Sequence, residues 1–393
     1  MSKLDEMIKE LCPTGVEYKK VKDVFRRLKG TPITATKMKE IEATDGEIRV
    51  FAGGKTVINA KEKDIPNANI TRVPAVLVQS RGVIDVVYYE EPFTFKNEMW
   101  AYTTENKTTV KYLYYVLKNN IQQFRDAASG MGSLPQISLP VTEEFMIPLP
   151  PLPIQQEIIR ILDSFTELTA ELTAELTARK KQYMHYMDML LTTSEKEYLL
   201  EEVCQIIDCP HTSPKWKETG VPVIRNYNLV NGIIDTSNLS YVDESEYKIR
   251  IKRGEPREND ILFSREAPIG NVGIIPKNFR CCQGQRVVLL RANQNIILPR
   301  YLLYVLQSVL VRDQIERIEK IGSTVSNFNI SDLKKLHFSI PTLDIQVSVI
   351  KKLDIFSRLC TDITKGLPAE IAARQKQYEY YRDKLLTFKE LKS

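Results

Sequence analysis

The sequence lacks any uncharged apolar stretch of about 18 residues, the length that a membrane-spanning helix needs. It also begins with the charged segment MSKLDEMIKE, where a secretory signal peptide would have an apolar run. The sequence therefore indicates neither a membrane protein nor a secreted protein, and we expect the chain to be cytoplasmic.

Cysteine and histidine are both scarce. Six cysteines in 393 residues do not suggest a disulfide framework, and the three histidines are too scattered to suggest a catalytic triad. Cys204, Cys209 and His211 come nearest to a zinc site. They have irregular spacing and no evident fourth ligand, so we expect no metal.

Motifs for nucleotide or cofactor chemistry are also missing. Gly54-Lys55-Thr56 resembles the end of a phosphate-binding loop, but that motif needs a glycine where Arg49 stands. The Asn/Asp-Pro-Pro-aromatic tetrad with which amino-methyltransferases hold a target base does not occur. We therefore expect neither a catalytic centre nor a bound cofactor in this chain.

The net charge of +5 is too small to indicate a general polyanion binder. Any binding of nucleic acid would have to come from local patches of basic and amide side chains.

The chain does contain an internal repeat, whose landmarks occur in the same order in both halves. Residues 179–192, RKKQYMHYMDMLLT, share nine of fourteen positions with residues 374–387, RQKQYEYYRDKLLT. Earlier landmarks match in the same way, among them Ser80-Arg81 with Ser264-Arg265, and Tyr112 to Leu117 with Tyr301 to Leu306. A duplicated unit that gained small loop insertions explains this order.

Each copy ends in a predicted long helix. From Ile154 the apolar residues step by four and three through Phe165 to Leu172, the spacing of a coiled coil. Residues 151–195 carry 4 basic and 7 acidic side chains, whereas residues 341–393 carry 10 and 7. These opposite net charges favour pairing of the two helices, although the stripes are also compatible with each helix packing on its own domain. Gly366 and Pro368 predict a break in the second helix.

The predicted fold is α+β, with two globular α/β domains that are each followed by a long helix. The two helices are expected to pair as an antiparallel coiled coil, and the duplication implies pseudo-twofold internal symmetry. The predicted segments are a first domain at 1–150, a helix at 151–195, a second domain at 196–340 and a helix at 341–393.

Polar clusters next to strand-like segments supply candidate DNA-binding residues. Arginine, lysine, asparagine and glutamine are the side chains that most often read base edges or hold phosphates. The candidates in the first domain are Lys55, Gln79, Arg81 and Asn97. Those in the second are Arg225, Asn226, Asn228, Arg265, Gln283, Gln285 and Arg286.

Four segments of the chain resemble the DNA-specificity subunits of type I restriction-modification systems. They are TAELTAEL at Thr169 to Leu176, GLPAEI at Gly366 to Ile371, and the two matched segments at 179–192 and 374–387. The resemblance implies two target-recognition domains, each of which reads half of a split site on double-stranded DNA. Because the two domains differ between their landmarks, the site should be asymmetric.

The resemblance also implies partner subunits. Modification subunits of that family methylate adenine with S-adenosylmethionine, and restriction subunits add translocation and cleavage that depend on ATP and Mg. The chain itself is expected to be non-catalytic. Two alternatives remain at this stage, which are a coiled-coil scaffold that binds only proteins and a stand-alone DNA-modifying enzyme.

Overall fold

The computed structural model describes residues 3–54, 56–129, 134–192, 196–321, 328–361 and 366–391. The chain forms two compact units. Unit 1 comprises Met1–Glu171 and Ala372–Ser393, and unit 2 comprises Leu172–Ile371. The four-segment division made from the sequence stays a prediction.

Unit 1 is built from short strands and helices, and its strands form three small sheets. Its strands are β1 Tyr18–Lys20, β2 Arg26–Lys29, β3 Ile48–Phe51, β4 Val57–Ala60, β5 Ala75–Gln79, β6 Asp85–Tyr89, β7 Phe93–Phe95, β8 Trp100–Thr103 and β9 Met146–Pro148. Its helices are α1 Lys3–Leu11, α2 Val21–Val24, α3 Ala35–Ile41, α4 Lys107–Asn119, α5 Ile121–Asp126 and α6 Leu139–Glu143, with a 3-10 turn at Glu62–Asp64.

The largest sheet of unit 1 has the order β2-β8-β5-β6 and is antiparallel throughout. A second sheet, β4-β3-β7, pairs β3 with β7 in parallel, and β1 pairs with β9. Helix α4 begins at Asn106, whose side chain accepts hydrogen bonds from the amides of Thr108 and Thr109. Its apolar face, which includes Val110 and Leu113, packs into the core with strands β5 and β6.

Unit 2 repeats this architecture and contains two more strands. Its strands are β10 Glu197–Leu199, β11 Cys204–Ile207, β12 Val221–Ile224, β13 Leu229–Val230, β14 Ile233–Ile234, β15 Ser240–Val242, β16 Ile261–Ser264, β17 Val272–Ile274, β18 Cys282–Gln283, β19 Val287–Ala292 and β20 His337–Ser339. Its domain helices are α8 Leu200–Val203, α9 Glu244–Arg250, α10 Pro299–Gln307, α11 Val309–Ile321 and α12 Ile330–Lys334, with a 3-10 turn at Asn226–Asn228.

The topology confirms the internal repeat. In unit 2 the four-stranded sheet has the order β11-β19-β16-β17, the mixed sheet has the order β15-β12-β18, and β10 pairs with β20. Each of these strands has a counterpart in unit 1 at the same place in the same order. The hairpin β13-β14 is the addition that distinguishes unit 2.

The repeat extends to side-chain contacts. In unit 1, Asp163 accepts hydrogen bonds from Lys111 at 2.7 Å and from the Tyr115 hydroxyl at 2.5 Å. In unit 2, Asp354 accepts one from Arg300 at 2.9 Å and another from the Tyr304 hydroxyl. Each aspartate thereby ties its long helix to the first helix after the four-stranded sheet.

Three long helices follow the domains, namely α7 Leu152–Leu191, α13 Leu343–Thr361 and α14 Leu367–Leu385. Gly366, at φ +84°, stands in the left-handed region between α13 and α14, which confirms the predicted break. No helix in the described part of the chain is long and apolar enough to cross a membrane.

Within unit 1, the first half of α7 packs both on its own domain and on α14. Ile154, Ile158 and Leu162 are fully buried in the unit 1 core, as the alternative of a helix packed on its own domain predicts. Phe165 stacks on Tyr381 with ring centroids 5.7 Å apart. Leu386, just after α14, joins the core that holds Ile154 and Ile158. Helix α14 therefore runs antiparallel to α7.

The C-terminal segment completes unit 1. The Val16 amide donates to the Lys389 carbonyl at 2.9 Å, and the Leu391 amide donates to the Val16 carbonyl at the same distance. The Tyr18 hydroxyl donates to the Phe388 carbonyl at 3.0 Å. The end of the chain is thus held beside the first strand of unit 1.

Within unit 2, the second half of α7 packs against α13. Met187 and Leu191 enter the same core as Val349 and Leu353 of α13. Tyr186 stacks on Phe356 with centroids 5.6 Å apart and planes inclined by 12°. The paired helices predicted from the sequence are therefore present in both units.

Candidate nucleic-acid interface

A polar cleft lies on unit 2 at one edge of its mixed sheet. Strand β12 pairs in parallel with β18, so both strands deliver their following loops to the same edge. The side chains that line the cleft are mainly polar or basic, with one exposed indole. They belong to Ser213, Pro214, Trp216, Arg225, Asn226, Gln285 and Arg286. Four of the predicted DNA-binding residues are therefore brought together here, although they come from two separate loops.

Arg225 stands at the end of β12 and is exposed. Its guanidinium carbon lies 5.4 Å from the ring centroid of Trp216 and 4.8 Å from that of Tyr227. Both rings are themselves exposed, at 47% and 38%. A guanidinium that rests on aromatic faces keeps its N–H groups directed within its own plane, where they remain able to donate.

The other predicted residues in the cleft are partly engaged. Asn226 donates through its amide nitrogen to the Ala267 carbonyl at 2.6 Å. Gln285 donates to the His211 carbonyl at 3.2 Å and accepts from the Ser213 hydroxyl at 3.3 Å. Arg286 pairs with Glu266 at 2.5 Å, but its side chain remains 57% exposed.

A buried ion pair lies next to the backbone segments that line the cleft. Arg250 is fully buried, and its Nε lies 3.1 Å from the carboxylate of Glu246, which is also buried. Its two terminal nitrogens donate to the carbonyls of Gln283 at 3.2 Å and Thr212 at 2.6 Å. One side chain thus holds two of the three backbone segments that line the cleft.

Three further predicted residues of unit 2 make internal contacts. Asn228 is buried and bonds to the carbonyls of Asp235 and Asn238, at 3.1 and 2.9 Å. Gln283 is buried and donates to the Ile207 carbonyl at 3.0 Å. Arg265 donates to the Phe328 carbonyl at 2.8 Å and pairs with Asp208 at 3.1 Å. DNA contact by these three stays a prediction, and their described bonds hold the unit together.

The equivalent edge of unit 1 lies at the end of β3 and β7. The Lys96 amide donates to the Phe51 carbonyl at 3.0 Å, as the Gly284 amide donates to the Ile224 carbonyl at 2.8 Å in unit 2. The loop after β3 therefore begins with Ala52 and Gly53, where unit 2 has Arg225 and Asn226.

The four predicted residues of unit 1 occupy different environments. Gln79 is buried and donates to the Gly54 carbonyl at 2.9 Å, whereas Arg81 and Asn97 are exposed. Lys55 lies outside the described residues. DNA contact by all four stays a prediction.

Asn97 opens onto a groove of unit 1 that is lined by both polar and apolar side chains. The groove is formed by β2 and the loops that follow β2 and β7, and it contains the cations Arg27 and Lys29 as well as Asn69. Arg27 pairs with Glu143 at 3.3 Å. Exposed amides and a lysine at one edge are suited to contacts with phosphates or bases.

The four cysteines of unit 2 that are buried keep their protons, unlike the thiolates that bind metal ions or act as nucleophiles. Burial raises the pKa of Cys204, Cys281 and Cys282 to about 12, and that of Cys209 to about 11. These thiols are therefore neutral at physiological pH. The Cys209 thiol instead donates to the Gln285 carbonyl at 2.7 Å. No cluster that could bind a metal ion occurs among the residues described.

Sequence reasoning missed Trp216, Tyr227 and Arg250. An aromatic residue on either side of Arg225 was a visible signal for the first two, because arginine and aromatic side chains often stack. Arg250 had no such signal, since it lies in a short charged helix that would be expected at the surface.

Comparison with known families gives a match over most of the chain. The model of the type I restriction modification DNA specificity domain matches twice, at residues 13–179 and 194–373. The EcoR124I/EcoR124II specificity subunit of Escherichia coli is 32% identical over 299 residues, which cover 72% of each chain. A putative type I restriction enzyme specificity subunit of Haemophilus influenzae is 30% identical over 318 residues, covering 75% of this chain and 77% of that protein.

Solved structures show the same fold. The S subunit of a type I restriction-modification system from M. genitalium matches with a TM-score of 0.55 at 15% identity, covering 95% of this chain and 96% of that one. A second solved chain, from work on complex assembly and conformational transition of the type I R-M system, matches with a TM-score of 0.60 at 14% identity. The match covers 95% of this chain and 98% of that one.

Proposed function

The chain belongs to the type I restriction modification DNA specificity family, with two copies of the specificity domain, and from that premise we propose how it selects DNA. Each unit reads one half of a split site on double-stranded DNA, and the two half-sites differ. Modification subunits dock along the helices.

One observation carries this proposal. The two units repeat one topology, yet they present different side chains at the equivalent edge of the mixed sheet. Unit 2 offers an arginine and two aromatic rings, where unit 1 has the buried Ala52 and then Gly53 after β3, with Asn97 exposed after β7. Side-chain differences at equivalent positions of two readers give two different half-sites, because base identity is read by side-chain donors and acceptors.

The catalytic steps belong to partner subunits in this proposal. Modification subunits would supply methylation with S-adenosylmethionine, and restriction subunits would supply the steps that need ATP and Mg. The buried, neutral thiols of this chain and the internal bonds of its buried arginine are consistent with a non-catalytic role. A DNA-bound role would place the chain in the cytoplasm.

The test is methylome sequencing of cells that carry this chain with its modification subunits. We expect methylation at one asymmetric site with two defined halves and an undefined spacer. Gel-shift assays with the same complex should show binding that distinguishes this site from unrelated DNA at moderate salt. Binding that ignores sequence would contradict the proposal, and an absence of DNA binding would favour a protein-only scaffold. Methyl transfer by the purified chain alone would make it a self-contained enzyme.

The helical repeat offers a second test. Helix α7 contains the sequence TAEL at residues 169–172 and again at 173–176. Deleting one copy removes about 6 Å of helix, a length comparable to one or two base-pair steps. We expect the spacer to change while both half-sites are retained. A variant with the same four residues in reversed order keeps the length and should keep the spacer. Altered bases in a half-site would contradict the role of the helix in spacing.

A further inference from the structure

Arg225 differs from the other arginines around the cleft of unit 2 in how its charge is balanced. Arg253 and Arg265 both pair with Asp208, at 3.5 and 3.1 Å, and Arg286 pairs with Glu266. Among the described residues, no carboxylate lies within 4 Å of the Arg225 guanidinium, which contacts two aromatic rings instead. Its positive charge is therefore available to a ligand.

The two rings also restrict the direction in which this guanidinium can donate. The N–H groups of a guanidinium lie in its plane, whereas an aromatic ring stacks against one of its two faces. One nitrogen reaches the Tyr227 hydroxyl at 3.5 Å, which is at the limit of a hydrogen bond. The remaining donors keep the geometry that matches two adjacent acceptors on one base edge.

The backbone that carries this side chain is held by internal bonds. The Arg225 amide donates to the Asn228 side chain at 3.0 Å, and the Gly284 amide donates to the Ile224 carbonyl at 2.8 Å. Arg250 holds the carbonyl of Thr212, four residues before Trp216. A reader that is already ordered before binding loses less conformational entropy on contact, so more of the interaction energy appears as affinity.

From these observations we propose that Arg225 is a specificity-determining residue that recognises a guanine in the half-site read by unit 2. A guanine presents O6 and N7 side by side in the major groove, and an arginine fork donates to both. Trp216 and Tyr227 act as positioning residues that hold the fork. This inference rests on the proposed function, and it assigns the guanine to one half-site only, because Ala52 occupies the equivalent position in unit 1.

The experiment uses the complex of full-length chain and modification subunits, with selection of bound DNA from libraries randomised at each half-site. The wild-type complex should require a guanine at one position. Arg225→Ala should lower discrimination at that position by about 10-fold to 100-fold, the range expected for loss of a good bidentate pair, while other positions are retained. Arg225→Lys keeps the charge but loses the fork, so discrimination should fall while more of the affinity remains.

Two comparisons separate base reading from general effects. Arg257→Ala removes an exposed arginine of the same unit that does not line the cleft, and it should leave the preference unchanged. Trp216→Phe should retain the guanine preference, whereas Trp216→Ala should weaken it by less than Arg225→Ala does. Thermal unfolding of each variant chain checks that the fold is intact.

The possible failures are distinguishable. A wild-type complex that binds DNA without sequence preference would contradict the proposed function itself. A selective wild-type complex whose preference at every position survives Arg225→Ala would overturn only the role of Arg225. Equal weakening for all sequences would also overturn it, because such a loss identifies a phosphate contact.

Discussion

Buried polar groups hold loops beside the mixed sheet in both units, but these groups are neutral in unit 1 and charged in unit 2. In unit 1 the loop after β2 is held by neutral groups, since the hydroxyls of Thr31 and Thr94 lie 2.6 Å apart and Asn69 donates to the Gly30 carbonyl at 2.7 Å. Unit 2 uses a buried ion pair, in which the Arg250 Nε lies 3.1 Å from the Glu246 carboxylate and the two terminal nitrogens donate to two loop carbonyls. The same topology therefore accommodates either neutral or charged groups at buried positions.

This comparison separates what the repeat keeps from what it changes. The aspartate that joins each long helix to its domain is kept, as Asp163 and Asp354 show. The side chains that follow β3 and β12 differ, since unit 1 has Ala52 and Gly53 where unit 2 has Arg225 and Asn226. The shared topology therefore permits different side chains at this edge.

The largest expected effect comes from breaking the buried pair of unit 2. Arg250→Ala leaves the Glu246 carboxylate buried without its partner, and we expect a loss of about 3–5 kcal/mol in the free energy of unfolding of unit 2. Urea unfolding followed by hydrogen exchange in each unit would measure it. Arg257→Ala, on the surface of the same unit, should change stability by less than about 0.5 kcal/mol.

The neutral hydrogen bonds of unit 1 are expected to contribute less to the free energy of unfolding. Thr94→Val removes a buried hydroxyl with little change in shape and should cost about 1 kcal/mol in unit 1. Thr44→Val, at an exposed position, is its control. Equal losses for Arg250→Ala and Thr94→Val would contradict the distinction between charged and neutral fastening.

Removal of the repeated aspartate tests the part that the units share. Asp163→Ala leaves the Tyr115 hydroxyl and Lys111 without their acceptor, and Asp354→Ala does the same to Tyr304 and Arg300. Each aspartate side chain is 28% exposed, so solvent screening limits the loss to about 1–2 kcal/mol. We expect the two variants to be equally destabilised in urea unfolding. If the losses in unfolding free energy differed by more than about 1 kcal/mol, the two aspartates would not be equivalent. That difference would be as large as the usual contribution of one hydrogen bond.

Effects comparable to that of Thr94→Val are expected at the paired helices. Phe165→Leu in unit 1 and Tyr186→Leu in unit 2 each remove one aromatic stack, worth about 0.5–1.5 kcal/mol beyond the buried area. Thermal unfolding should show a small decrease for both, with domain folding and DNA preference retained. Loss of sequence preference in either variant would indicate that the helices contribute to base reading.

Much of the fold followed from the sequence. The matched landmarks, the coiled-coil spacing and the Gly366-Pro368 break predicted two similar domains and their paired helices, and the structure confirms these features. Periodicity and repetition are properties of the chain itself, so they can be read without coordinates. The end of the chain was harder to predict. Its pairing with Val16 joins residues more than 370 positions apart and leaves no local signal.

The candidate site was only partly predictable, because residue type does not show which partner a polar side chain finds. Arg225 and Arg265 look alike in the sequence, yet one is exposed on aromatic rings and the other bonds to Asp208 and a backbone carbonyl. The sequence by itself determined the repeat, the helices and the kinds of side chain near the strand ends. Only the tertiary structure decided which of them face solvent and which satisfy buried groups, because that choice depends on contacts between distant segments.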